Sequence, residues 1–230
     1  HRYRFERIVI PGDTERFIHI PSSPDRDYLE SFSEIRYSLS EIGLQVSTGP
    51  VVDFRLKEYL CGSPEEGTVP LLYSSHFAKG SIRWPNFDSR KPNAIKHNNL
   101  TEKWLYPEGF YCVVRRFSSK EERRRVVASV VEPRMLKGYK KIGFENHLNV
   151  FHQNKRGLPG DLARGLSVYL NTTPVDEFLR RFNGHTQVNA TDLRSLKYPS
   201  LETLTDMGRW AADQGELTQN IIDKKFGALR

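Results

Sequence analysis

The feature that most constrains this chain is a change of pattern at Pro159-Gly160-Asp161. Before it, apolar residues come in short runs separated by Gly, Pro, Asn and Ser clusters. After it they recur at helical spacing: Leu162, Leu166, Tyr169 and Leu170, then Val175, Phe178, Leu179 and Phe182 after Thr173-Pro174. Short runs between turn residues read as strands, and the 3.6-residue recurrence reads as amphipathic helix. Strands gathered ahead of helices predict an α+β fold: a twisted, mainly antiparallel sheet with hairpins, followed by a C-terminal group of helices.

The strand reading covers 3–10, 16–20, 44–48 and 51–55 on either side of a Ser-Thr-Gly-Pro turn, then 70–73, 81–84, 109–117, 124–131 and 142–151. Residues 109–117 and 124–131 flank a polar tip and predict a hairpin. One early helix is expected from Ser23-Pro24-Asp25, with Leu29, Phe32, Ile35, Leu39 and Ile42 on one face and Gly43 as its stop. Residues 85–103 are polar and without period, which predicts a long surface loop. Asn183-Gly184 closes the second late helix, and two more are expected at about 201–213 and 216–228. The resulting division is a domain over 1–200, with an N-terminal strand and helix extension, and a helical appendage over 201–230.

Charge narrows the function. The formal net charge is +7. Residues 110–160 hold twelve Lys and Arg against four acids, so this window carries +8 and the rest sums to −1. Aromatic residues are interleaved in it, the pattern of a nucleic-acid face; inward-turned aromatics between solvated strands would look the same. No run approaches a membrane span, and His1-Arg2-Tyr3-Arg4 has no signal-peptide apolar region. Two unclustered cysteines, Cys61 and Cys112, suit reduced thiols in the cytoplasm. Catalytic motifs are absent: no Gly-x-Gly, no Pro-Pro pair, no phosphate-binding loop and no nucleophile elbow. Asp53 and Lys57 only partly match a magnesium nuclease, because the lysine follows by four positions rather than two. No catalytic residue and no metal site is predicted.

Four segments carry a family resemblance: Val46 to Arg55, Val114 to Arg124, Ile142 to Asn149 and, most specific, Gly184 to Pro199. In this order they resemble the C-terminal target recognition domain of type II adenine-specific DNA methyltransferases of restriction–modification systems. The last is also similar to the closing segment of type I specificity subunits. The resemblance implies a recognition module for double-stranded DNA, with the catalytic methyltransferase domain in cis. That domain would hold S-adenosylmethionine and the Asn-Pro-Pro-Tyr-type motif; neither the motif nor a cofactor site is expected in this chain. The other readings are a self-contained nuclease or other nucleic-acid enzyme, and an RNA- or protein-binding module.

Within that resemblance, phosphate contacts are expected from Lys79, Lys96, Lys120, Arg123, Lys140, Lys141 and Lys155. Base-edge contacts are expected from Arg83, Asn98, Arg115, Arg116, Gln153 and Arg156. Ser47, Thr48, His185, Thr186, Gln187 and Asn189 could touch the DNA backbone, and His185 and Arg194 are the first residues to test in the 184–199 segment. That segment itself reads as a structural joint, its polar side chains satisfying backbone groups at a helix end.

Overall fold

The computed structural model describes residues 35–119, 121–136, 138–182 and 186–228. The strands expected at 3–10 and 16–20, and the start of the early helix, lie outside them. Among the described residues eleven strands precede five helices, an α+β fold. The strands are β1 (Gln45–Thr48), β2 (Leu60–Cys61), β3 (Thr68–Leu72), β4 (Phe77–Ala78), β5 (Ser81–Ile82), β6 (Ala94–Lys96), β7 (Leu105–Pro107), β8 (Tyr111–Arg115), β9 (Ala128–Val131), β10 (Lys141–Phe144) and β11 (Leu148–His152). The helices are α1 (Gly160–Leu170), α2 (Thr173–Phe182), α3 (Ala190–Ser195), α4 (Leu201–Ala212) and α5 (Gln219–Gly227).

The strands form two sheets rather than one, ordered β1-β11-β8-β9-β5-β4 and β2-β6-β3-β10-β7. All pairings are antiparallel except β3 with β10 and β5 with β9. The six-stranded sheet lies between the helices and the five-stranded sheet. Cys112 and Val114 of β8 face the core shared with Leu162, Leu166 and Tyr169 of α1, while Tyr111 and Val113 face the core shared with Ile142 and Phe144 of β10. A strand covered on both faces has no need of polar alternation, which explains the continuous apolar run Tyr111-Cys112-Val113-Val114. A third cluster, with Val69, Leu71 and Ile95, covers the other face of the five-stranded sheet.

The hairpin forms as expected, with Tyr111 opposite Val131 and Val114 opposite Ala128. Several other readings are corrected. Residues 142–151 are two strands in different sheets, because Glu145-Asn146-His147 turns the chain out of one sheet and into the other. Residues 51–55 are not a strand: Val51 makes one bridge to Glu145, and single 3-10 turns follow at Asp53–Arg55 and Lys57–Tyr59. The polar stretch 85–103 contains β6, whose Ala94 and Ile95 are wholly buried. Three residues are too few to show a period. Over 35–43 the expected helix is absent. Tyr37 bridges Tyr198 instead, and a single turn follows in which the Ser38 amide donates to the Glu41 carboxylate at 2.6 Å. Gly43 ends it at φ +69°, the left-handed stop its position suggested.

The last two helices share the core of the six-stranded sheet through Leu204, Met207, Ile222 and Phe226. α1 and α4 approach through Gly165 and Gly208. A Cβ on Gly165 would overlap the Leu204 carbonyl, and one on Gly208 the Asp161 carbonyl. Either glycine changed to alanine is expected to lower unfolding stability by about 3 kcal/mol or more, read by urea denaturation, because backbone rather than a flexible side chain must move.

Two buried histidines set a pH response. His76 Nδ1 accepts from the Tyr73 amide at 3.0 Å, and its Nε2 faces Asn93 Oδ1 at 2.9 Å. His152 Nδ1 accepts from the Lys155 amide at 3.2 Å, and its Nε2 pairs with Ser47 Oγ at 2.9 Å. Burial pulls both imidazoles below their ordinary value, so the folded state holds them neutral. Their contribution is complete above an ordinary imidazole value of about 6.5 and is lost as pH falls through that value toward the folded one. The urea midpoint is therefore expected to fall between about pH 7.5 and pH 5, and less steeply in His76→Gln.

Candidate functional site

The two sheets part at the turn Glu145-Asn146-His147, and the side chains around it make up the candidate site. The Ser47-Thr48-Gly49-Pro50 segment crosses this turn. Gly49 N–H donates to Leu148 O at 2.8 Å, Val51 N–H to Phe144 O at 3.1 Å, and Asn146 N–H to Val51 O at 2.9 Å. A Cβ on Gly49 would overlap the Glu145 carbonyl oxygen, so only glycine allows the crossing.

Glu145 is fully buried under the turn. Its Oε2 accepts from the His147 amide at 2.9 Å, and its Oε1 lies 2.6 Å from His147 Nδ1. Burial pushes this carboxyl above its ordinary range, against the pull of the His147 amide. Beyond it, Asp53 takes the Lys91 ammonium at 3.0 Å. Burial opposes the charge on Asp53, but the Lys91 hydrogen bond and charge outweigh it and hold the carboxyl low. Lys91 Nζ also sits 5.1 Å from the centroid of the buried Tyr73 ring.

Arg116 borders the turn. Its amide donates to His147 O at 2.8 Å, its Nη1 to Asn146 O at 3.2 Å and its Nε to Asn189 Oδ1 at 3.1 Å. Phe117, 46% exposed, sets its ring edge-on to His147 with centroids 4.8 Å apart. Residues 186–188 run alongside: Ser118 N–H donates to Thr186 O at 3.0 Å and Val188 N–H to Arg116 O at 2.7 Å. Asn189 then caps α3, its amide donating to Asp192 Oδ2 at 2.6 Å. The structural reading of this segment thus has a geometric basis at Asn189. Ser47 and Thr48 instead bond within the sheet, to His152 at 2.9 Å and Asn149 at 3.4 Å.

The cations expected from sequence do not gather at one place. Arg115 and Arg116 flank the turn, and Arg123 lies at the hairpin tip, where its carbonyl accepts from Arg180 at 3.1 Å. Arg115 is half-buried and paired with Glu122, while Arg123 is exposed. Lys120 and His185 lie outside the described residues. Lys141 stands at the far end of β10 and pairs with Glu102; Lys140 pairs with Glu108 at 3.3 Å. Gln153, Lys155 and Arg156 follow the far end of β11, in a turn where the Gln153 and Arg156 backbones bond to each other. Lys96 is exposed at the end of β6, and the Asn98 side chain accepts from the Leu100 and Thr101 amides at 2.9 and 3.1 Å. Lys79 pairs with Glu216 at 2.8 Å and Arg83 with Asp88 at 2.7 Å, all four well exposed. Arg194 is exposed on α3 and donates back to Ala190 O at 3.2 Å.

Part of the basic window is internal. Arg125 is fully buried, and its amide and that of Val126 donate to Asp176 Oδ1 at 2.7 and 2.9 Å. Arg124 reaches Gln219 at 2.7 Å and Thr172 O at 2.9 Å. Residues that sequence reasoning did not single out are Glu145, Asn146, His147, Phe117 and Lys91. The signal for them was a polar triplet interrupting the apolar run 142–151. No group of three or more His, Cys, Asp and Glu among the described residues could hold a metal ion. Burial pushes the Cys112 thiol well up, and burial with the Glu65 contact raises Cys61. No helix among them is long and apolar enough to cross a membrane.

No family model matches the chain. Type II methyltransferase M.BsuBI of Bacillus subtilis is 51% identical over 230 residues, which is 100% of this chain and 46% of that protein. Type II methyltransferase M.PstI of Providencia stuartii is 42% identical over 221 residues, 96% of this chain and 43% of that protein. Both relatives are Type II methyltransferases. The chain therefore spans slightly less than half of their length. Among solved structures, the type IIG restriction endonuclease BpuSI superposes with a TM-score of 0.47 at 10% identity, over 85% of this chain and 29% of that one.

Two variants test the geometry. Gly49→Ala is expected to destabilise the fold by about 2 kcal/mol or more, read by denaturant midpoint. Asn154 and Lys155 hold φ of +48° and +60° in their two-residue turn. Lys155→Gly relieves the strained residue and is expected to raise stability by about 1 kcal/mol in the same measurement.

Proposed function

We propose that these 230 residues recognise a sequence in double-stranded DNA on behalf of an adenine-specific methyltransferase of a restriction–modification system. The observation that carries the reading is that all or 96% of the chain matches less than half of each of two Type II methyltransferases. The chain has neither Gly-x-Gly nor Pro-Pro. In this reading the catalytic domain, with S-adenosylmethionine and the pocket for the extruded adenine, belongs to the other part of the enzyme in cis. The kinship with type I specificity subunits, and a cytoplasmic location, belong to the same proposal.

The geometry supports a division of labour. The turn at 145–147, with Arg116 and Phe117 beside it, offers amide, imidazole, guanidinium and aromatic groups fixed by backbone bonds, which suits contact with base edges. Arg123 and the more distant Lys79, Lys96, Lys140, Lys141 and Lys155 suit phosphates. The exposed pairs of Lys79 with Glu216 and Lys140 with Glu108 are screened by water, so a phosphate can replace the carboxylate. Arg83, Asn98, Gln153 and Arg156 stand as additional groove contacts. Residues up to 200 form the recognition unit in this proposal, and α4 and α5 brace it.

Fluorescence anisotropy with labelled duplex DNA tests the reading. Affinity is expected to fall at least tenfold between about 50 and 200 mM salt. Arg123→Ala is expected to reduce the log–log salt slope by about 0.9, the value of one phosphate contact. An affinity that does not respond to salt would rule out the phosphate contacts, and with them the proposal.

A further inference from the structure

We infer that His147 is a specificity-determining contact that reads a base edge through Nε2, and that Glu145 is the residue that positions it. The inference rests on the DNA-recognition reading above.

The Glu145 carboxylate touches His147 at two points: Oε2 accepts the His147 amide at 2.9 Å, and Oε1 lies 2.6 Å from Nδ1, a close contact outside hydrogen-bond geometry. A ring with Nδ1 against the carboxylate turns its Nε2 the other way. Nε2 has no hydrogen-bond partner among the described residues, and the side chain is 35% exposed against 0% for Glu145. Phe117 blocks one flank of the ring at a 4.8 Å centroid distance. Arg116 pins the turn beneath it, through its amide to His147 O and its Nη1 to Asn146 O. The imidazole is thus fixed in position and orientation while its one uncommitted nitrogen faces outward.

A carboxylate buried only to steady an exposed ring is a poor device for stability, since its desolvation opposes folding. It is an effective one for recognition. Base readout needs a donor or acceptor held in place before binding, so that little freedom is lost on contact. An imidazole Nε2 can accept from the amino group of adenine N6 or cytosine N4 or, carrying a proton, donate to guanine O6 or N7. The charged groups around the ring are Glu145 below, the Asp53–Lys91 pair beyond it and Arg116 at the flank. The exposed Phe117 ring adds an apolar surface beside Nε2 suited to a thymine methyl group.

Selection from a pool of duplexes carrying a randomised central segment, using the 230-residue chain and its variants, tests this. The unaltered chain is expected to enrich one sequence. His147→Ala is expected to lose discrimination by about tenfold at one base pair and to keep it at the others. Phe117→Ala is expected to relax the same or the adjacent base pair. Glu145→Gln, checked for folding by thermal melting, should relax the same position as His147→Ala. Removing the charge 2.6 Å from Nδ1 should also shift the ¹⁵N signals of the His147 ring. A His147→Ala selection identical to that of the unaltered chain overturns the inference while leaving DNA recognition intact. A Glu145→Gln protein with unchanged His147 ring signals and unchanged selection overturns the positioning role. If Glu145→Gln does not fold, the His147 and Phe117 variants decide. Failure of the unaltered chain to enrich any duplex overturns the recognition reading itself, and this inference with it.

Discussion

The crossing of Gly49 over the Glu145–His147 turn is the constraint on which the described structure depends. β10 and β11 are consecutive in sequence but belong to different sheets. The chain must leave one hydrogen-bonded ladder and enter another within three residues, and its backbone groups must still find partners. The 49–51 segment supplies them, bonding to Phe144 and Leu148 on either side and to Asn146 between. That contact needs two backbones closer than any side chain allows. The same turn brings His147, Asn146 and Glu145 next to Arg116 and Phe117, so the joint of the fold and the candidate site are one place.

Charge is used in two different ways. Arg124 and Arg125, which look like the centre of the basic window, are structural: the Arg124 and Arg180 guanidinium groups pair with Asp176 at 3.9 and 2.8 Å, and the Arg125 backbone amide donates to it, tying the hairpin tip to α2. Buried pairs of this kind are destabilising to break from one side, because the remaining charge is left without a partner. Lys140, exposed beside the far end of β10, is in the opposite situation: its pair with Glu108 at 3.3 Å can give way to water or phosphate. Net charge alone does not separate these two populations.

Long or strongly patterned elements were legible in the sequence. The β8–β9 hairpin, β1, β3, the four longer helices and the stop at Gly43 all follow from apolar runs, proline and glycine. Short elements were not. β6 has three residues, and β7 was not anticipated. Glu145-Asn146-His147 contains neither Gly nor Pro, so only its polarity within an apolar run marks it. The turn over 38–43 follows from tertiary pairing of Tyr37 with Tyr198, which overrides the helical spacing of Ile35, Leu39 and Ile42. Of the candidate site, Arg115 and Arg116 were anticipated from the charge cluster. His147 and Glu145 were not, because a buried carboxylate and an exposed imidazole look like any two polar residues in a row.

By itself the sequence determined the class of fold, strands first and helices after, because periodicity is a local property that survives without knowledge of partners. It also determined a basic balance and the absence of the motifs that methyl transfer requires. Only the tertiary structure decided that the strands divide into two sheets and which arginines are turned inward. It likewise decided that a carboxylate lies beneath His147. Those outcomes depend on contacts between residues about 100 positions apart, such as Gly49 with Leu148, and such contacts leave no local trace in composition or spacing.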